Sequence, residues 1–377
     1  MAFSISNLFK SMKKSPDGKA VEAESDADRG QRLLRDAELS LVMAAVSPEE
    51  RARALASLVT IKESAGQRAA ATLQLVQESC DEILDNVARA AALLHLARAS
   101  RAAGVPHAPA LASSRARLGQ TFSCSAARVR AEIASFEFES KEDPSAMLKA
   151  AKQILEAPAH PSEMTTVYGF VAVCEAQMQM DPDATFKRAT FFLDGESNSI
   201  LKLKAQAVLS GQLVAAGRKR MAAEILETVK GVPGEYGPLG TTWALGEMAL
   251  SSFRDRDNDE ALALLDKLPV AAPLSDRVAA MARSVTTLME KDEPELARKL
   301  YNKLSKLLDQ GRSGEVSILG LLTAEAAEAL AIAQSSIGLH EEAKATAENA
   351  GDRKASVLVD IHLAMARLGA RLVAASR

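Results

Sequence analysis

Residues 86–130 contain seven arginines and no aspartate, glutamate or lysine, so this stretch is strongly cationic. A guanidinium group binds planar anions through paired hydrogen bonds, which suits it to carboxylates and phosphates. The stretch is therefore a candidate partner-binding surface for an acidic peptide, phosphate groups or nucleic acid. Alternatively, it is a solvated face whose arginines pair with acids of neighbouring segments, such as Asp81, Glu82 and Asp85. The candidate residues are Arg89, Arg98, Arg101, Arg115, Arg117, Arg128 and Arg130.

Nucleic acid is the less favoured of these ligands. Aromatic side chains usually stack on the bases of a bound strand, and Phe122 is the only Phe, Tyr or Trp in the stretch. The whole chain has a net charge of −3, with 14 basic and 9 acidic residues over 29–130 but 28 and 35 over 131–377. Such an asymmetry gives information about partners and not about the fold.

The first 14 residues have the pattern of a cationic amphipathic helix. Such a helix can lie on an anionic membrane or dock into the groove of a partner. A plain tail, or a helix packed on the chain's own fold, is the alternative. Residues 15–28 are polar and acidic and predict a flexible linker. The apolar face of segment 1–14 comprises Ile5, Leu8, Phe9 and Met12, and its charge comes from Lys10, Lys13 and Lys14.

No motif for catalysis, metal binding or cofactor binding is present in the sequence. The five histidines lack metal-site spacing, and there is no Gly-x-Ser-x-Gly elbow. The glycine-rich run 231–243 matches neither phosphate-loop fingerprint, so we interpret it as a connector and expect Trp243 to anchor the core. We therefore expect a non-catalytic protein without a cofactor. An enzyme whose acid–base pair is hidden in the fold is the remaining alternative.

The compartment is predicted from the cysteines and the apolar runs. The three cysteines are widely spaced and form no disulfide framework, which favours a reducing compartment. The longest uncharged stretches fall short of the ~18–20 apolar residues that span a bilayer. We expect a cytoplasmic protein, peripheral at a membrane or a larger assembly if segment 1–14 docks there.

A small residue recurs along the chain with a period near 38, and this period predicts the architecture. The period indicates stacked helical hairpins, because each hairpin must bury its apolar face against the next. Glycines such as Gly66, Gly104, Gly217 and Gly338 lie just before the recurring alanine, where a left-handed residue would end a helix. The recurring residues are Ala71, Ala108, Ala146, Ala184, Ala222, Ala261, Ala297 and Ala343.

The sequence thus predicts an all-α superhelical solenoid of about eight antiparallel hairpins within a helical-repeat domain, residues 29–372. A first helix at about 29–46 and a last helix at about 352–372 are expected to cap the two open ends. The hairpins are predicted at about 48–85, 86–120, 121–157, 161–195, 198–231, 237–269, 275–310 and 313–349.

The turn and second helix of several units resemble tetratricopeptide-type repeats. The motifs are GLHEEAKATA (338–347), GRKRMAAEIL (217–226) and NDEALALLDKLP (258–269). The chain is similar to a divergent tetratricopeptide or Sel1-like array, with HEAT-like stacking as the near alternative. The resemblance implies a curved array whose inner surface, lined by the first helix of each hairpin, binds peptides or proteins. The expected function is that of a scaffold or adaptor.

Overall fold

The computed structural model describes residues 32, 34–39, 42, 47–64, 66–119, 121–154, 159–311 and 322–350. These residues fold into α-helices joined by short turns, and no β-strand occurs among them. The predicted all-α class is therefore confirmed. The segments predicted as an amphipathic helix (1–14), a linker (15–28) and a last helix (352–372) lie outside the described residues.

The helices of the first four hairpins are α1 (Pro48–Ser64), α2 (Ala70–Glu82), α3 (Asn86–Ala102), α4 (Ala108–Leu118), α5 (Cys124–Glu139), α6 (Ser145–Ile154), α7 (Pro161–Gln177) and α8 (Asp183–Asp194). Those of the next four are α9 (Ser199–Ala215), α10 (Lys219–Lys230), α11 (Tyr236–Arg254), α12 (Asn258–Leu265), α13 (Leu274–Glu290), α14 (Pro294–Gly311), α15 (Ala324–Ser336) and α16 (His340–Ala350). The observed bounds agree with the first seven predicted hairpins to within a few residues. The eighth was predicted from residue 313, and residues 312–321 lie outside the described part.

The hairpins pack in a row in chain order. Each odd-numbered helix packs against the even-numbered helix that follows it and against the odd-numbered helix of the next hairpin. We call the odd-numbered helices first helices and the even-numbered ones second helices. The first seven first helices begin at residues 48, 86, 124, 161, 199, 236 and 274, which are 37 or 38 residues apart. The first helices therefore form one continuous layer.

The predicted first helix, about 29–46, is helical at residues 32, 34–39 and 42. Leu34 and Ala37 are buried in one apolar cluster with residues of α1. The Nζ atom of Lys62 lies 2.7 Å from an oxygen of Glu38 and 2.8 Å from the hydroxyl of Thr72. This segment covers the open side of the first hairpin, as a cap must.

Every hairpin turns on a single residue with left-handed backbone. The φ angles at these residues lie between 60° and 94°. The next residue donates its N–H to the carbonyl five positions earlier at 2.7–2.9 Å, which is the Schellman ending of a helix. Glycine was predicted at four of the turns and is confirmed there; the other four carry side chains despite the steric cost. The turn residues are Gly66, Gly104, Lys141, Gln179, Gly217, Arg256, Asp292 and Gly338.

The recurring alanines do not all occupy one environment, so the predicted alanine register is wrong for the first half of the chain. Ala222, Ala261, Ala297 and Ala343 are fully buried, whereas Ala71, Ala108, Ala146 and Ala184 are exposed. The buried alanines are the fourth residue of their helix, whereas the exposed ones are the first or second. A shift of two positions turns a side chain by about 200° around the helix. In α4, α6 and α8 the fourth position is filled by Leu111, Leu148 and Phe186, all buried.

The first helices approach one another most closely where they lack a side chain. A Cβ atom added to Gly211 of α9 would lie 2.9 Å from the carbonyl oxygen of Glu247 in α11. One added to Gly246 of α11 would lie 3.1 Å from the Cβ of Ala280 in α13. Such short separations leave no room for a larger residue. Glycine therefore sets the spacing of α9, α11 and α13.

The two alanine environments give a matched pair of substitutions. We expect Ala222→Leu to lower the free energy of unfolding by about 1–3 kcal/mol, because extra methyl groups have no space in a packed interior. Ala184→Leu should change it by less than about 0.5 kcal/mol, because that side chain faces water. Urea unfolding followed by circular dichroism measures both. Equal destabilisation by the two substitutions would contradict the observed register.

Candidate partner-binding groove

Three neighbouring cavities lie along the layer of first helices, and they share lining residues. The first, about 260 Å³, lies between α5, α7 and α9, and the second, about 300 Å³, between α9, α11 and α13. The third, about 370 Å³, lies between α11, α13 and α15. Lys204 and Val208 line the first two cavities, and Leu250, Arg283 and Glu325 line the last two. We call this continuous surface, from α5 to α15, the first-helix groove.

Trp243 lies in the middle of the first-helix groove. Its ring is half-buried, packing partly on the core while lining the second cavity. Its Nε1 atom donates a hydrogen bond to Asp276 Oδ1 at 2.6 Å, which fixes the ring orientation. The Nζ atom of Lys204 lies 5.7 Å from the ring centroid, in a cation–π arrangement. The predicted role of Trp243 as a core anchor therefore describes only one side of this ring.

The charged side chains of the groove between α11 and α15 are only partly compensated. Arg283 lies 3.5 Å from a carboxylate oxygen of Glu247 and also pairs with Glu325 at the start of α15. Burial raises the pKa of Glu247, and the nearby Arg283 offsets this only in part. Burial of its carboxyl group likewise raises the pKa of Glu290, against the opposing charges of Arg254 and Lys291, although the residue as a whole is exposed. Both carboxyl groups are thus held where the charged form is disfavoured.

Four of the seven candidate arginines pair with carboxylates of the chain itself. Arg89 pairs with Asp81. Arg101 lies 3.1 Å from Glu139, and Arg128 lies 3.1 Å from Glu132 one helical turn away. Arg115 donates from Nε to Glu137 at 2.8 Å and also contacts Glu142. These contacts favour the interpretation in which neighbouring segments supply acid partners.

The other three arginines differ from one another. Arg130 is 4% exposed and donates to the carbonyls of Leu118, Gly119 and Thr121 at 2.8–3.3 Å, so it stabilises the connection between α4 and α5. Arg117 is exposed on α4, a second helix, whereas Arg98 is half-buried on α3, a first helix. Of the seven, only Arg128 lines a cavity of the first-helix groove. The structure therefore distributes the seven arginines over several surfaces.

The second predicted docking element, segment 1–14, lies outside the described residues. Its candidate residues are Ile5, Leu8, Phe9, Met12, Lys10, Lys13 and Lys14. Within the described part, no helix has the length and apolarity that crossing a bilayer requires, and no group of three or more His, Cys, Asp or Glu side chains is arranged to hold a metal ion.

The three cysteines are buried free thiols. Burial raises the pKa of Cys80 and of Cys174 to about 12 and that of Cys124 to about 11. A thiol with so high a pKa stays protonated near neutral pH and is a poor nucleophile.

The comparisons with known proteins give no family for this chain. Neither a scan against protein-family models nor a search of curated proteins found a match. The groove is therefore interpreted from its own residues.

The sequence pattern missed the groove for a physical reason. Its lining residues lie on six first helices, α5 to α15, and most of these helices begin 37 or 38 residues apart. A spacing that long carries no local motif. One signal was available: the resemblance to tetratricopeptide-type repeats implies a binding surface that is lined by the first helix of each hairpin. Applied to residues 236–254, that signal would have placed Trp243 in the groove.

His95 of α3 has a perturbed titration that can be measured. Burial lowers its pKa to about 4, and the positive charges of Arg98 and Arg53 lower it further. The unfolded chain binds a proton below about pH 6.5 that the folded chain does not bind until about pH 4. The free energy of unfolding should therefore fall as the pH falls through this window.

We expect His95→Gln to remove part of this acid destabilisation. Arg98→Gln should raise the pKa of His95, because it removes a neighbouring positive charge. Proton NMR of the imidazole ring, recorded against pH, measures the second effect directly. An imidazole that titrates near 6.5 in the unaltered protein would contradict the buried, cationic surroundings of His95.

Proposed function

We propose that this protein is a non-catalytic scaffold or adaptor, of a tetratricopeptide-like or Sel1-like kind, that binds a segment of a protein partner in the first-helix groove. One observation carries the proposal: three cavities join into a continuous surface lined by six first helices and by Thr323, the residue just before α15. Stacked helices hold such a surface rigid, so little conformational entropy is lost when a ligand binds. The half-buried ring of Trp243 supplies the kind of aromatic anchor that dominates binding energy in interfaces.

Binding of nucleic acid or phosphate ligands receives less support. That alternative rested on the arginines of residues 86–130. Four of them are paired with carboxylates and Arg130 is occupied by carbonyl groups. Guanidinium groups already in such contacts must lose them before they bind phosphate.

Segment 1–14 has a separate role in this proposal: it brings the scaffold to a membrane or to a docking partner. The support is its sequence pattern, with apolar residues on one face and three lysines. A short cationic helix of this size binds weakly by itself, so the groove partner and the segment would act together.

The groove proposal can be tested by filling the groove. Ala279 lines the second cavity and is half-buried, so Ala279→Phe should occupy the space that a ligand side chain needs. The full chain is used to select binders from a phage-displayed library of random dodecapeptides. We expect sequences enriched on the unaltered chain to bind Ala279→Phe at least about tenfold more weakly, as loss of a central contact would cause.

The matched control is Ala184→Phe, which adds the same ring to an exposed position on the second helix α8. This variant should bind the selected peptides as the unaltered chain does. The proposal fails if no sequence is enriched, or if Ala279→Phe binds the enriched sequences with unchanged affinity.

The role of segment 1–14 is tested by deleting it. We expect the deletion to leave the urea unfolding transition of the array unchanged, because the described helices pack extensively against one another. Compared with the full chain, the deletion variant should sediment less with vesicles that contain anionic lipid, or should occupy a different position in the cell. Loss of cooperative unfolding would instead show that the segment is part of the packed fold.

A further inference from the structure

The charge of the first-helix groove changes along its length. The first cavity, at α5–α9, is lined by the basic residues Arg128 and Lys204 and the acidic residue Glu163. The second and third cavities, at α9–α15, are lined by three basic side chains and five acidic ones. These are Lys204, Arg254 and Arg283, and Glu247, Asp276, Glu290, Glu325 and Glu328.

Arg283 cannot neutralise this acidic part of the groove alone. It lies between two carboxylates, Glu247 of α11 and Glu325 of α15, and so shares one charge between two acids. Asp276 has its Oδ1 atom on the indole N–H of Trp243, which carries no charge. The structure gives Glu290 no ion-pair partner among the residues that it describes. A ligand with positive charge would meet carboxylates with unused acceptor capacity.

The same part of the groove also accepts apolar groups and a cation beside an aromatic ring. Its lining includes Gly246, Leu250, Ala279 and Ala280 between the charged residues. The chain itself places the ammonium group of Lys204 over the ring of Trp243. The ring thus lies beside a cation at the wall of the second cavity, an arrangement that the negative charge on an aromatic face stabilises.

We propose that the α9–α15 part of the first-helix groove binds a segment of a separate partner protein that carries lysine or arginine side chains beside apolar residues. The proposal rests on the proposed function and specifies its ligand. Apolar side chains of the segment fill the second and third cavities, and its basic side chains pair with Glu247, Glu290 and Glu325. Charge complementarity of this kind sets specificity and speeds association.

The raised pKa values of Glu247 and Glu290 support this assignment. Glu247 is half-buried, so its surroundings disfavour the charged form, and an amide of the same shape would avoid that penalty. Glu290 is exposed at the end of α13, where a ligand can reach it. A cation supplied by the ligand would compensate both groups when it binds.

The test uses the selection from the random dodecapeptide library on the full chain. We expect the enriched sequences to contain more lysine and arginine than the starting library, and more apolar residues. The variant Glu247→Gln/Glu290→Gln should bind these sequences about tenfold more weakly, since two charge pairs with the ligand are lost, one of them at the half-buried Glu247. The difference between the two proteins should shrink as salt is raised, because salt screens the interaction.

A matched control removes two carboxylates from a second helix. Glu224 and Glu227 lie exposed on α10, and Glu224→Gln/Glu227→Gln should leave the affinity unchanged. Urea unfolding of both variants shows that the groove variant is folded. We expect its midpoint to be the same or higher, because the replaced carboxylates are disfavoured in their charged form.

The outcomes separate the two proposals. Enrichment of acidic or purely apolar sequences, or equal affinity of the groove variant, overturns the basic ligand and leaves a peptide-binding groove. The absence of any enriched sequence overturns the groove function itself. A synthetic peptide of residues 1–14 is added as a competitor, because it is also basic and apolar. If it binds the groove more tightly than the selected peptides, the occupant is a segment of this chain and the separate partner is overturned.

Discussion

The arrangement of the molecule depends on one backbone constraint, the left-handed residue that ends the first helix of each hairpin. The constraint is met eight times, at Gly66 and at seven later positions that include the non-glycine residues Lys141 and Asp292. The Schellman hydrogen bonds around this residue stop the first helix and reverse the chain within a few residues. Because the first seven turns recur at intervals of 36–39 residues, successive first helices are brought side by side. Their common exposed side is the groove.

The period of the turns could be predicted from the sequence, but the residue on each buried position could not. The positions of glycine and proline predict where helices end and begin, since these residues restrict or free the backbone locally. Whether a residue is buried depends on which side of its helix faces the neighbouring helix. A shift of two residues along the chain moves a side chain to the opposite side of the helix. Ala184 and Ala222 therefore look equivalent in sequence, although one faces water and the other the core. Phe186 occupies the position in α8 that Ala222 occupies in α10.

The same contrast applies to the candidate site: residues that are close in sequence are separated by the fold, and residues far apart in sequence are brought together. The arginines of residues 86–130 form a visible cluster in sequence, yet helix packing sends Arg115 to Glu137 and Arg130 to backbone carbonyls. The groove is the reverse case, because Lys204, Trp243 and Arg283 are scattered in sequence and converge only when three hairpins stack. Charge clusters along a chain thus overstate binding surfaces on helical arrays. In this protein the first helices, and not the charge cluster, line the candidate binding surface.

The most direct test of the groove as the binding surface uses Trp243, the single tryptophan of the chain. Its ring lines the middle cavity, so a ligand seated there must shield it from small quenchers in solution. Acrylamide quenching of tryptophan fluorescence is measured with and without a saturating peptide that lacks tryptophan. The account predicts a clear fall in the quenching constant when the peptide binds. A quenching constant and an emission maximum that stay unchanged at saturation would contradict it, because the ligand would then bind elsewhere.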